Sequence, residues 1–339
     1  MQMLRMGLVF LLALFCTTVA GRAPFTKAED DFQLVQVADG VFAAIAKPGG
    51  LASGNGGFII GDGGVLVVDT FATPVAAEEL IKEIQARTTQ PVLYAVNSHY
   101  HLDHSGGNQV FAERHIPIIA QENTRDWVAT KNTRFLPGHD DLVKRRDDLI
   151  KKLSSLPDDK KDQRAPLERQ ISQAEVMLTI NLTRPTLTYT GGTLRLFLGH
   201  REVQLLTLPG HTGGDTIVYV PDANVVFTGD LGWSKTLPNL VDATVNEWIP
   251  TLDKLVADYK TAKFVPGHGQ VAGPADIQTF RNYLSDLRTT VRQAIDRGLT
   301  LDQAKEQLKL PDPYKDFAFQ GFAKPNIDDM YKELNGTKK

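Results

Sequence analysis

Apolar positions along this chain change their spacing several times, and the changes mark out its elements. Between residues 31 and about 271, runs as short as strands alternate with turn signals and with stretches of helical period. Residues 35–37 and 41–45 flank Asp39-Gly40, and 58–60 and 65–68 flank a glycine-rich turn, so two hairpins are predicted before Asp69-Thr70. Residues 74–87 form an amphipathic helix with Leu80, Ile81 and Ile84 on one face. The run 91–96 is a buried strand, 108–113 begins a helix and 116–120 is another strand. Strands resume at 186–189, 193–198, 203–208, 216–220, 225–227 and 263–265.

Two stretches depart from this alternation. Within 123–182, residues 142–156 and 167–178 carry apolar residues at helical spacing among charges of both signs. Pro157-Asp158-Asp159 separates them, so a helical hairpin is predicted, either a solvated flap on the domain edge or a lid over a site. After Gly273-Pro274 the pattern is helical, with Ile277, Phe280, Leu284, Leu287 and Val291 on one face and Gly298 as the stop. Shorter helices are expected at 300–308 and 327–334. The reading is an α/β (α+β) domain over 31–275 with an inserted helical hairpin, followed by a C-terminal helical extension over 276–339.

The strand at 91–96 runs into Asn97-Ser98-His99-Tyr100-His101-Leu102-Asp103-His104, and Gly106-Gly107 follow. If the backbone stays extended past Val96, His99 and His101 point the same way and can grip one ion. Asp103 and His104, at the bend, then face a second position. Later strands end in Gly210-His211, Gly229-Asp230 and Gly267-His268, so these motifs hold five of the eight histidines. Burying so many imidazoles and carboxylates without a metal would leave polar groups short of partners. The glycine-rich loop 49–57 lacks the lysine and the spacing of a phosphate loop.

Composition narrows the setting. The 339 residues are 42% hydrophobic and 23% charged, with a net charge of −3 and no long basic run, which speaks against a nucleic-acid partner. Residues 1–20 read as a signal peptide: Arg5, an apolar run over 8–15, then Thr18-Val19-Ala20. That run is too short for a permanent membrane span. Cys16 raises the alternative of a lipoprotein signal, but Phe15 is large where such sites take a small residue; cleavage and export to the periplasm or medium is the expectation. Cys16 is the sole cysteine, so the exported chain has no disulfide and must hold any metal through nitrogen and oxygen.

Taken in order, Asp69, His-x-His-x-Asp-His at 99–104, His211, Asp230 and Gly267-His268-Gly269 resemble the motifs of the metallo-β-lactamase superfamily, over about residues 31–271. The resemblance implies a four-layer αβ/βα sandwich with metals at one end. It implies that His99, His101 and His211 hold a first ion, that Asp103, His104 and His268 hold a second, and that Asp230 bridges them. Two zinc ions per chain are expected, with iron or manganese as alternatives. Ions ~3.5–4 Å apart share a hydroxide nucleophile, and Asp103 orients it or carries a proton. Asp69 either fixes a ligand histidine's tautomer and loop or caps the strand-end turn.

Asp230 separates the branches of that family. Lactam-cleaving members generally carry cysteine or a small residue there, whereas glyoxalase-II-like, lactonase-like and nuclease-like members keep aspartate. The expected function is therefore hydrolysis of a small-molecule ester, thioester, lactone or amide. A β-lactamase and a mononuclear iron oxidoreductase of the persulfide-dioxygenase kind are the alternatives. Trp233, Lys235 and Asn239, just after the bridging position, are candidates for the substrate pocket or ordinary loop residues.

Overall fold

The first sheet grows from the two hairpins. The computed structural model describes residues 31–309 and 312–338; the segment read as an export signal, including Arg5 and Cys16, lies outside them. Strands β1 (Phe32–Ala38), β2 (Val41–Ala46), β3 (Gly56–Ile60) and β4 (Val65–Val68) pair antiparallel in succession. Helix α1 (Pro74–Gln85) starts where Thr73 Oγ1 accepts the Ala76 N–H at 3.3 Å and Pro74 takes a first-turn position that needs no donor. It crosses over to β5 (Val92–Val96), parallel to β4 with Val68 opposite Val96. Short helices α2 (Leu102–Ser105) and α3 (Asn108–Glu113) lead to β6 (Ile118–Gln121). After α4 (Glu122–Thr130), α5 (His139–Ser154) and α6 (Lys161–Met177), β7 (Leu187–Tyr189) completes a seven-stranded sheet in the order β1 to β7.

The second sheet has the order β12-β11-β10-β9-β8, built from β8 (Thr193–Leu198), β9 (Arg201–Thr207), β10 (Thr216–Val220), β11 (Val225–Trp233) and β12 (Lys263–His268). Helix α7 (Val245–Asp258) makes the crossover that lets β11 and β12 run parallel. Helices α8 (Pro274–Asp296), α9 (Leu301–Gln307) and α10 (Ala323–Leu334) close the chain. Among the described residues no helix is long and apolar enough to cross a membrane.

Three apolar clusters make four layers of these parts. Val41, Ile59, Val68, Val96, Val218 and Phe227 fill the space between the sheets. Leu80, Ile81 and Ile84 of α1 pack with Phe58, Val67 and Phe111 outside the first sheet. Trp248, Leu252, Phe280, Leu284 and Leu287 of α7 and α8 pack outside the second. This is the αβ/βα sandwich that the motif order implied, and the hairpin α5–α6 and the extension α8–α10 form where helical spacing placed them.

Two helices were not legible. Pro250 lies inside α7 and Gly-free but polar residues make up much of α4, so neither pattern announced a helix. A proline inside a helix loses one backbone hydrogen bond and costs about 3 kcal/mol. The burial of Trp248, Ile249, Leu252 and Leu255 outweighs that cost, at roughly 1.5–3 kcal/mol for each large side chain. Similarly, α6 starts at Lys161, ahead of the expected 167, and carries Pro166 within its early turns.

Candidate metal centre

The ends of β4, β5, β11 and β12 and the β9–β10 turn all meet at one end of the sandwich, and seven predicted side chains meet there with them. The nitrogen or oxygen donors of His99, His101, His211 and Asp230 lie within 4.8 Å of one another, and those of Asp103, His104 and His268 form a second such group. Asp230 stands between the groups and turns one oxygen to each. Its Oδ2 is 3.7 Å from His99 Nε2 and 3.5 Å from His211 Nε2. Its Oδ1 is 3.1 Å from His104 Nε2 and 3.5 Å from His268 Nε2. Asp103 Oδ2 adds contacts of 3.2 Å to His268 Nε2 and 3.7 Å to His104 Nε2.

Several of these atoms are buried without a hydrogen-bond partner: His99 Nε2, His104 Nε2, His211 Nε2 and Asp230 Oδ1. Orphaned buried donors and acceptors are rare because each costs about 1–3 kcal/mol. Here they converge on two points with a shared carboxylate, so the residues present fit a pair of divalent cations. The all-nitrogen-and-oxygen set suits zinc, iron or manganese alike.

Electrostatics divide the groups. Burial pushes His99 well below its ordinary pKa and pushes His211 down to about 3, leaving both neutral with lone pairs free. Burial also opposes charge on His104 and His268, but the Asp230 and Asp103 carboxylates outweigh it, raising His104 well above its usual range and His268 to about 9. Burial of Asp230 and partial burial of Asp103 oppose ionisation, yet the surrounding imidazoles hold both below the usual carboxylate range.

The backbone that delivers these groups is locally strained. Asp69 and Phe71 both take left-handed conformations, at φ +59° and +64°. Asp69 is thereby tucked beneath the histidine loop: its Oδ1 accepts the Ser98 N–H at 2.7 Å and its Oδ2 faces Ser98 Oγ at 2.8 Å and His104 Nδ1 at 2.9 Å. Holding Nδ1 leaves His104 Nε2 directed at Asp230. Space is equally constrained at Gly54, where an added Cβ would sit 2.7 Å from His104 Nε2. The glycine-rich loop 49–57 thus serves close approach to the centre.

Four residues escaped the sequence reading. Asp242 Oδ2 lies 3.1 Å from His101 Nε2 and also bonds Tyr100 Oη and Arg134, leaving His101 Nδ1 for the centre. Asn55 Nδ2 donates to the carbonyls of Pro266 and Gly269 at 2.9 and 2.8 Å, clasping the His268 turn. Asn97 and Asn108 exchange side-chain hydrogen bonds of 3.0 and 2.8 Å, and Asn97 also holds the His104 carbonyl. Only Asn97 adjoins a motif; the rest carry no local signal.

The candidates after Asp230 separate. Trp233 is a correction: it is buried, stacked on His268 at 4.2 Å, with its Nε1 donating to the Asp230 carbonyl at 2.7 Å, so it supports the centre from behind. Lys235 is exposed and lines a 720 Å³ cavity beside His268 and Phe319. Asn239 lines another cavity, of 340 Å³, beside His101 and Asp103.

Comparison with known proteins agrees with this geometry. The family model of the metallo-beta-lactamase superfamily matches residues 49–268. The chain belongs to the metallo-β-lactamase superfamily. It is 24% identical to a linear primary-alkylsulfatase of Pseudomonas sp. over 73% of this chain and 48% of that protein, so it spans about half the length of that relative. It is 23% identical to a type 2 metallo-beta-lactamase of Bacteroides fragilis, over 79% of this chain and 92% of the other. A metallo-beta-lactamase from Pontibacter korlensis shares the fold with a TM-score of 0.54 at 18% identity, covering 75% of this chain and 99% of that one. Within that fold, the described residues bring together two His/Asp groups able to hold metal ions.

Proposed function

We propose that this protein is an exported hydrolase with a dinuclear metal site, zinc in the first instance, that opens an ester, thioester, lactone or amide bond of a small molecule. The observation that carries this reading is the placement of Asp230, one oxygen facing each of two donor groups. A mononuclear oxidoreductase has less support, because a second group of three donors, Asp103, His104 and His268, lies against the other oxygen of Asp230. A β-lactamase has less support because an aspartate fills position 230.

Bound in these groups, divalent ions supply a water of lowered pKa and a Lewis acid for the carbonyl oxygen. The chain's residues do the rest. Asp103, whose side chain keeps 26% of its surface exposed at the cavity floor, is within reach of water and substrate together. Its carboxylate orients the attacking water, takes its proton as the new C–O bond forms, and passes it to the departing oxygen, sulfur or nitrogen as the old bond breaks. His99, His101 and His211 hold one side of the reaction centre rigidly, His101 through its bond to Asp242. Asn239 lines the same cavity, and in this reading its side-chain amide donates to a substrate oxygen.

Similarity to an alkylsulfatase adds sulfate esters as a second reading of the scissile bond. Elemental analysis of purified protein should find two transition-metal ions per chain. A panel of lactones, thioesters, aryl esters, alkyl sulfates and nitrocefin should show turnover concentrated in one ester class. Asp103→Asn should lower kcat by about 10²–10⁴-fold with the fold intact. Full activity in that variant would refute the role, and a protein that takes up no metal would refute the site.

A further inference from the structure

The cavity of 340 Å³ that opens on His101 and Asp103 is walled mostly by hydrocarbon, which an ionic centre does not need. Its floor carries Leu102, between the two donors, and its near wall Leu51 from the glycine-rich loop. Its outer wall belongs to the helical insert. Gln173 and Met177 of α6 and Ile180 just beyond it follow the i, i+4, i+7 spacing of a single helix face, and all three line the cavity. Phe135 comes from the turn before α5 and packs edge-on to the His101 ring at 5.0 Å. Leu167, Ala174 and Val176 of α6 are buried, whereas Met177, Ile180 and Phe135 are only half-buried and face the cavity. Apolar side chains left facing water beside a reactive centre gain by being covered, and the group that enters this site is the substrate.

We propose that the insert is the substrate-selecting wall of the site: Phe135, Met177 and Ile180, with Leu51 and Leu102, hold an aliphatic chain on the acyl side of the scissile bond. This rests on the hydrolase reading for the identity of the scissile bond, but not for the binding of the chain itself. Met177 suits such a role, because an unbranched thioether adapts to chains of differing length. The cavity lies near the small end of ligand pockets, about 300–1,000 Å³, and has room for one aliphatic chain. The substrate class is therefore esters or thioesters of aliphatic carboxylic acids.

Titration calorimetry of zinc-supplemented protein with acetate, butanoate, hexanoate and octanoate reads the pocket without turnover. These are the acids that hydrolysis would release. Affinity should rise about fourfold per added methylene until the cavity is full. In the double variant Met177→Ser/Ile180→Ser the ratio of octanoate to acetate affinity should fall at least about tenfold, while Met177→Leu should keep it. Circular dichroism establishes that each variant is folded, and Phe135→Ala offers a second test if the double variant is not. Octanoate binding no tighter than acetate, or a ratio unchanged in folded variants, overturns the proposal. Parallel assays with phenyl acetate and phenyl octanoate separate the two ideas. Turnover without chain-length preference would sink the pocket and spare the hydrolase; tight octanoate binding without ester turnover would do the reverse.

Discussion

The carboxylate of Asp242 lies 3.1 Å from Nε2 of His101, although 141 residues separate them in sequence. Tyr100 and Arg134 bond the same carboxylate, so a loop after β11, the histidine loop after β5 and the insert's first turn are tied at one point. Burial opposes charge on Asp242, but His101, Arg134 and Tyr100 together hold it below the usual carboxylate range. An anion there fixes the imidazole's orientation toward the centre.

Replacing that anion while keeping its shape isolates the effect. Asp242→Asn should weaken metal binding by about 10–100-fold, with the circular dichroism spectrum unchanged. A chelator-competition titration of wild type and variant checks this; equal affinities would remove Asp242 from the site's working parts.

Asp69 should matter to folding as much as to metal binding. Truncation to Ala strands the Ser98 N–H and His104 Nδ1 in a buried pocket and leaves Ser98 Oγ only His99 Nδ1. Leaving even one such group unsatisfied costs about 1–3 kcal/mol, so Asp69→Ala should lose at least that much in urea denaturation. A loss below about 0.5 kcal/mol would mean that the carboxylate serves only as a turn cap.

Metal removal should be visible in stability as well as activity. A ligand that binds only the folded chain adds about 2.7 kcal/mol at a hundred times its Kd. Dialysis against a chelator should therefore lower Tm, and adding zinc should restore it. A Tm indifferent to both treatments would argue that the seven donors hold no ion.

The C-terminal extension has its own acid sensitivity. Asp328 of α10 joins α9 through Lys305 at 2.9 Å and also pairs with Lys332 one turn on in its own helix. Burial is the largest single influence and raises its pKa, but the two ammonium groups together outweigh it and hold the carboxylate below its ordinary value. The pair therefore contributes above about pH 4, and its contribution is lost as pH falls through the lowered value. Wild type should exceed Asp328→Asn by about 0.5 kcal/mol near neutrality in urea denaturation. The gap should close as pH falls through that lowered value, and a gap that widened on acidification would contradict the sign.

Local spacing was enough to reveal the strand and helix periods and the inserted hairpin, while the order of the His and Asp motifs gave the resemblance to the superfamily and, through it, the seven candidate donors. Those features rest on short-range regularities: period two, period 3.6, and the short motifs at strand ends, where glycine precedes His211, Asp230 and His268. What tertiary structure alone decided is how the donors are held and what surrounds them. Asp242, Asn55 and Asn108 act across long stretches of chain, α7 exists because its apolar face is buried despite Pro250, and Trp233 turns its ring against His268. Hydrogen bonds and burial between segments distant in sequence depend on where the whole chain folds, and no local pattern records that.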